Sequence, residues 1–212
     1  MATQRTAFAA AVAAMSTLFF VIVNFMFSPG YLWFYYPVFA VLWFPLAALF
    51  LPRRPTAFAL AGSALSAGFL VAVNLQNSPG HPWFLYACWP LVWWPIIMAL
   101  GKKAGTLWFA ALCAGLTIAW YAALNIFVSP GYPWALCPAF AVVWWPMTLF
   151  FARRRRWFGY SVAGTVLMAV FFAALNLVSS PAVPWAVFPV FAALWWPLSV
   201  YFFQYKRATH AR

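Results

Sequence analysis

One pattern returns four times along the chain: an Asn, a Ser-Pro, a Trp, and later an aromatic pair closed by Pro. The copies are Asn24–Ser28-Pro29–Trp33–Trp43-Phe44-Pro45, Asn74–Ser78-Pro79–Trp83–Trp93-Trp94-Pro95, Asn125–Ser129-Pro130–Trp134–Trp144-Trp145-Pro146 and Asn176–Ser180-Pro181–Trp185–Trp195-Trp196-Pro197. In every copy the Asn stands nine residues before the first Trp, and that Trp ten before the second. The copies begin 50, 51 and 51 residues apart, with no insertion inside the pattern. A fixed period of this length means that one supersecondary unit is repeated.

The solvent of that unit follows from what lies between the marked positions. The chain is 68% hydrophobic and carries no Asp or Glu among 212 residues. A water-soluble fold needs interspersed charges of both signs to stay dispersed, and none can be built here. Lipid is therefore the expected solvent. Each copy holds two apolar stretches, such as Ala7–Phe27 and Phe34–Leu51. As helices they reach roughly 31 and 27 Å at about 1.5 Å per residue, against a hydrocarbon core near 30 Å. The expected fold is all-α: a polytopic membrane protein whose eight transmembrane helices form four tandem helical hairpins. The hairpins are placed at 1–52, 53–102, 103–153 and 154–212, in parallel orientation within one membrane domain. Repeats of this sense relate by an axis along the membrane normal. A pseudo-fourfold ring and an open row both satisfy that relation.

The twelve cations set the expected orientation. They are Arg5, Arg53, Arg54, Lys102, Lys103, Arg153 to Arg156, Lys206, Arg207 and Arg212, all between repeats or near the chain ends. No cation falls in a Ser-Pro loop. The positive-inside rule then puts both termini in the cytoplasm and the Ser-Pro loops outside. The expected location is the bacterial inner (plasma) membrane, crossed many times. Ala7–Phe27 follows a cation as a signal peptide would, but it carries Asn24 in register with the other copies and is read as a retained helix. Arg153, Arg154, Arg155 and Arg156 form the densest basic patch, suited to anionic headgroups or an acidic partner. Confined this way, the charge points to lipid rather than nucleic acid.

Three kinds of position are candidates for function. Asn24, Asn74, Asn125 and Asn176 lie near the outer ends of the first helices, as helix–helix glue or as a polar ring along a path. Trp33, Trp83, Trp134 and Trp185 follow rigid Ser-Pro turns and are expected as anchors at the outer interface. Trp43, Trp93, Trp94, Trp144, Trp145, Trp195 and Trp196 fall about 15 Å deeper, at about 1.5 Å per residue, as a mid-membrane aromatic cluster. The Pro that follows each pair frees a carbonyl at Val41, Leu91, Val142 or Ala193, for which an indole N–H is the expected donor. Such a cluster could also bind a flat pigment or quinone; no cofactor or metal is otherwise expected.

The first helices are rich in small residues towards the cytoplasm, as at Ala57–Gly68, and are expected to make the closest contacts, with bulky second helices outside them. Cys88, Cys113 and Cys137 have no metal or disulfide spacing and read as apolar filler. His81 and His210 are isolated from one another. Without membrane carboxylates, acid–base pairs and proton-coupled transport are not expected, so the chain is not read as an enzyme.

The hairpin in which Asn74, Pro82, Trp83 and Trp93, or Asn125, Pro133, Trp134, Pro138 and Trp144, follow one another resembles the two-transmembrane-helix domain family of bacterial membrane proteins. That resemblance covers each hairpin and implies a membrane hairpin found alone or beside signalling domains. Here four copies are stacked, and the His at the end of the second helix is missing. The expected function is a non-catalytic scaffold, accessory subunit or assembly factor of a membrane complex, with lipids and other membrane subunits as partners. The alternative is a pseudo-fourfold channel or carrier for a neutral or lipid-like solute. Pigment or quinone binding between the Trp-rich helices is a third reading.

Overall fold

The computed structural model describes residues 2–205; Lys206, Arg207, His210 and Arg212 lie outside the described residues. Eight α-helices follow one another: α1 Ala2–Phe27, α2 Tyr35–Phe50, α3 Pro55–Asn77, α4 Phe84–Leu100, α5 Leu107–Phe127, α6 Leu136–Arg153, α7 Trp157–Ser179 and α8 Val187–Val200. A 3-10 turn over Gly101–Gly105 separates α4 from α5, and a π turn over Tyr201–Tyr205 extends α8. No strand occurs among the described residues.

Local chemistry accounts for several helix boundaries. Pro55 opens α3, where its missing N–H has no helical partner to lose. Thr106 caps α5 by accepting the Phe109 N–H at 3.4 Å. Gly101 ends α4 with φ +53°, a conformation that a side chain would oppose.

Six segments are long and apolar enough to cross a membrane: Gln4–Phe27, Pro55–Asn77, Phe84–Gly105, Leu107–Phe127, Leu136–Arg153 and Trp157–Ser179. The remaining two apolar helices, Tyr35–Phe50 and Val187–Phe203, are shorter. At about 1.5 Å per residue, the 16 residues of α2 rise roughly 24 Å.

The chain divides into two compact units, Met1–Gly101 and Lys102–Arg212, each made of two hairpins. In the first unit α1 packs on α2, α2 on α3 and α3 on α4; in the second, α5 to α8 repeat that order. The second hairpin of each unit carries the tightest approach. A Cβ added to Gly62 of α3 would meet Trp94 at 2.8 Å and Trp43 at 2.9 Å. One added to Gly164 of α7 would meet Trp196 and, at 3.0 Å, Trp144. The small face of α3 or α7 thus seats two indoles, one from its own hairpin and one from the hairpin before it. Indole stacking completes the seat, with ring centroids 6.3 Å apart for Trp43–Trp94 and 6.2 Å for Trp144–Trp196. Towards the loops Phe39 stacks on Phe69 at 4.2 Å, and Phe140 on Phe171 at 4.1 Å.

The expectation that first helices sit inside applies to α3, α5 and α7, which hold four, seven and four buried residues, while α2, α4 and α6 hold none. Helix α1 differs: among its described residues only Ala13 and Asn24 are buried. At the place of the seat glycine, counted back from the loop Asn, hairpins 1 and 3 carry Val12 and Cys113. A period of two hairpins therefore underlies the shorter one, and it is written in the packing face rather than in the loops.

Candidate functional site

The four Asn do one job, four times, each inside its own hairpin. Asn24 donates both amide hydrogens, to the carbonyls of Ser28 (2.9 Å) and Tyr31 (3.0 Å), while its oxygen accepts the Phe34 N–H at 2.9 Å. Asn74 repeats this with Ser78, His81 and Phe84 at 2.7, 2.9 and 3.0 Å. Asn125 binds Ser129, Tyr132 and Ala135 at 2.8, 2.8 and 3.2 Å. Asn176 binds Ser180, Val183 and Ala186 at 2.8, 2.9 and 2.9 Å. One carboxamide thus ties the end of the first helix, the reversal and the start of the second helix together. All four side chains are buried. Both donors are used in each, so the amides face their own loops and not one another.

The outer Trp side chains pack back on the same hairpin. Trp33 meets Phe20, Trp134 meets Tyr121 and Trp185 meets Phe172, edge to face at 6.4, 5.9 and 6.3 Å. Each partner stands four residues before the loop Asn, one helical turn inward. Trp134 also donates its indole N–H to the Ser129 hydroxyl at 2.9 Å. Trp83 is half-buried.

The deeper Trp residues divide into two groups. Trp43 with Trp94, and Trp144 with Trp196, form the paired seats described above. Trp93 turns to Trp89 of its own helix at 5.6 Å, and Trp145 to Phe109 at 6.1 Å. Trp195 is 56% exposed and touches Phe191. The first member of the pair reaches the following hairpin at Trp43 and Trp144, and the second packs on the first helix of its own hairpin at Trp94, Trp145 and Trp196.

For two of the Pro-freed carbonyls the donor is a hydroxyl and not an indole. Ser63 of α3 donates to the Leu91 carbonyl at 2.8 Å, and Thr165 of α7 to the Ala193 carbonyl at 3.1 Å. These carbonyls lie four residues before Pro95 and Pro197, where the ring removes the helical N–H. The hydroxyl comes from the facing first helix, so the broken helical bond becomes an interhelical one. Hairpins 1 and 3 have Ala13 and Ala114 at the same place and lack that hydroxyl. Hydroxyl and carbonyl keep one spacing in both hairpins, a signal present in the chain but masked by the more conspicuous indoles.

Polar links between neighbouring hairpins also occur. In the first unit Tyr31, Tyr35, Tyr36 and Asn77 gather at the loop end, with long contacts of 3.3 to 3.5 Å. In the second, Thr148 and Tyr160 share a hydrogen bond of 2.8 Å at the opposite end.

On the basic side, Arg153 donates to the Gly105 carbonyl at 2.8 Å and Arg154 lies 3.8 Å over the Phe150 ring. His81 stacks on Tyr86 at 5.8 Å in its loop. Cys113 is buried, Cys88 half-buried and Cys137 exposed, all as free thiols. No group of three His, Cys, Asp or Glu able to hold a metal ion occurs among the described residues. Two shallow, open concavities are one of about 320 Å³ beside Trp157, Tyr160, Trp196 and Val200, and one of about 480 Å³ along Ala10, Ala14 and Thr17 of α1 and Pro45 of α2.

No protein-family model, no curated protein and no solved structure matches this chain. What it does must therefore be argued from its own geometry.

Proposed function

We propose that this is a non-catalytic, multi-pass membrane protein of eight spans that serves as a scaffold, accessory subunit or assembly factor of a membrane complex. Both ends and the basic connections face the cytoplasm of a bacterial inner membrane, and the Ser-Pro loops face outward. One observation carries the role: the recurring polar side chains are committed inside their hairpins. With both amide hydrogens of every loop Asn engaged, no row of free carboxamides remains to guide a solute. The hydroxyls of Ser63 and Thr165 are likewise engaged. What is left outward-facing is aromatic and aliphatic, as at Phe44, Phe188 and Trp195, which are 64%, 75% and 56% exposed. Such a surface has packing to offer rather than chemistry.

The short helices α2 and α8 complete spans because each returns from a reversal that its Asn holds closed. The arginines contribute through headgroups, at about 1 kcal/mol per juxtamembrane charge. The two-transmembrane-helix resemblance agrees with the hairpin and adds no chemistry to it.

Two measurements test this reading. Cysteines placed at Gly80 and at Arg155, in a chain freed of its own thiols, should label from opposite faces of sealed vesicles. Labelling from one face would sink the topology. Protein purified in mild detergent should carry a membrane-protein partner in fixed stoichiometry, show no absorbance beyond Trp and Tyr, and leave liposomes tight to neutral solutes. Solute flux that disappears on Asn-to-Leu replacement while the fold persists would move the assignment to a conduit. A bound chromophore would move it to pigment or quinone binding.

A further inference from the structure

Matching residues by their distance from the loop Asn shows which faces inside each unit meet. The second helix of the leading hairpin presents two aromatics one turn apart, Phe39 and Trp43 after Asn24, or Phe140 and Trp144 after Asn125. The first helix of the following hairpin receives them with two more, Phe58 and Phe69 before Asn74, or Tyr160 and Phe171 before Asn176. Each pair holds the same offset from its Asn in both units. The contacts agree as well. Phe39–Phe69 and Phe140–Phe171 stack at 4.2 and 4.1 Å, and Trp43–Phe58 and Trp144–Tyr160 meet edge to face at 5.9 and 6.2 Å.

Both halves of this contact recur elsewhere exposed, with ring contacts among the described residues only to their own helix. Helix α8 carries the presenting pair at the same offsets after Asn176, as Phe191 and Trp195, which are 60% and 56% exposed. Phe188, matching Tyr36, is 75% exposed and extends that ridge. Helix α1 carries the receiving pair at the same offsets before Asn24, as Phe8 and Phe19, which are 72% and 61% exposed. A shallow hollow of about 290 Å³ lies on that face, bordered by Met15, Ser16, Phe19 and Phe20. Aromatic rings facing lipid need no explanation by themselves. A presenting face and its own receiving face, both in register with a contact made twice inside the molecule, do need one.

We infer that the protein associates head to tail with further copies of itself, the α8 ridge of one copy seating on the α1 face of the next. The contact continues the internal interface, so Phe191 stacks on Phe19 as Phe39 does on Phe69. In the eight-span topology proposed above, on which this association rests, α8 descends and α1 ascends as α2 and α3 do, so the neighbouring copy needs no inversion in the membrane. One local change adapts the seat: Val12 replaces the seat glycine while Phe44 replaces the second Trp, and a smaller ring offsets a larger neighbour. The two faces differ from one another, so the interface is heterologous and closes into a ring or runs on as a row.

The test is thiol cross-linking in native membranes, in a chain with Cys88, Cys113 and Cys137 replaced. Phe19→Cys and Phe191→Cys are placed in separately tagged copies, co-expressed and treated with a short bismaleimide. The expected product is a dimer carrying both tags, formed only in the mixture. A chain with both Phe140→Cys and Phe171→Cys serves as the internal control for the same geometry. Symmetric Phe19→Cys dimers, closure within a single chain bearing both outer thiols, or silence while the control reacts would each overturn the inference. As an independent measurement, Trp195→Ala with Phe191→Ala should lower the oligomeric fraction in detergent several-fold with helicity unchanged. An unaltered fraction would also overturn it.

Discussion

The two units share the geometry of their stacked indoles and differ in how polar groups link their hairpins. Trp43–Trp94 and Trp144–Trp196 stack with centroids 6.3 and 6.2 Å apart and ring planes inclined by 29° and 30°. The polar links do not correspond. The first unit places Tyr31, Tyr35, Tyr36 and Asn77 at the loop end, where the second has Tyr132, Leu136, Cys137 and Ser179. The second unit bonds Thr148 to Tyr160 at the basic end, where the first has Ala47 and Phe58. Two halves that agree in glycine, in indole and in the hydroxyl serving the Pro-freed carbonyl, but not in the polar links between hairpins, locate the common source of cohesion between hairpins in shape. In lipid this is physically sensible, because apolar contact with lipid tails is no worse than with Leu, and close fit is what remains.

Breaking the shared parts should hurt both units alike. The loop lock comes first: Asn74→Leu and Asn176→Leu each orphan one N–H, at about 1–3 kcal/mol, and remove one of the two hydrogen bonds at each of two carbonyls, at about 0.5–1.5 kcal/mol apiece. Those carbonyls keep a bond from a loop backbone N–H. Partial rewetting at the interface leaves an expected loss of about 3 kcal/mol per hairpin, read from unfolding in mixed SDS micelles. A loss confined to one unit would contradict the equivalence.

Next is the seat. Gly62→Val and Gly164→Val force an indole aside and should each cost about 1–3 kcal/mol, with faster amide exchange confined to the altered unit. Val12→Gly, at the matching place in hairpin 1, should leave both seats intact. Smaller effects follow at the hydroxyls that serve the Pro-freed carbonyls. Ser63→Ala and Thr165→Val should each remove about 0.6–1.7 kcal/mol, the measured range for interhelical hydrogen bonds in membranes.

The unit-specific links are the weakest and sharpen the contrast. Tyr160→Phe deletes a bond of 2.8 Å and should cost about 1 kcal/mol, in the second unit only. Asn77→Ala deletes inter-hairpin contacts near the distance limit and one exposed bond of 3.0 Å to the Val73 carbonyl of its own helix, and should be close to neutral. If it matched Tyr160→Phe, the polar cluster of the first unit would carry more weight than its geometry allows.

The helices and reversals were legible because the signals were local. Apolar length, Ser-Pro and the fixed Asn-to-Trp spacing mark the stretches Ala7–Phe27 and Phe34–Leu51, close to the observed Ala2–Phe27 and Tyr35–Phe50. The tie made by each Asn was half legible: a carboxamide near a turn suggests a hydrogen bond, but not that it closes three at once. Two things escaped for a common reason. That Ser63 reaches Leu91, and that Trp43 meets Trp94 and not Trp93, depend on how one helix is rotated against another, which periodicity alone leaves open. Gly62 and Gly164 held the clue, since only alternate copies have them. The stronger period of a single hairpin concealed it.

The amide tie has a consequence for how such a chain is made. It reaches only from Asn24 to Phe34, and its other copies are equally short-range. A nascent pair of segments leaving the translocon can therefore fix its own bend before anything downstream has been translated. Biogenesis can advance in two-segment steps, each competent at birth, and gene duplication could multiply the step without disturbing its predecessors.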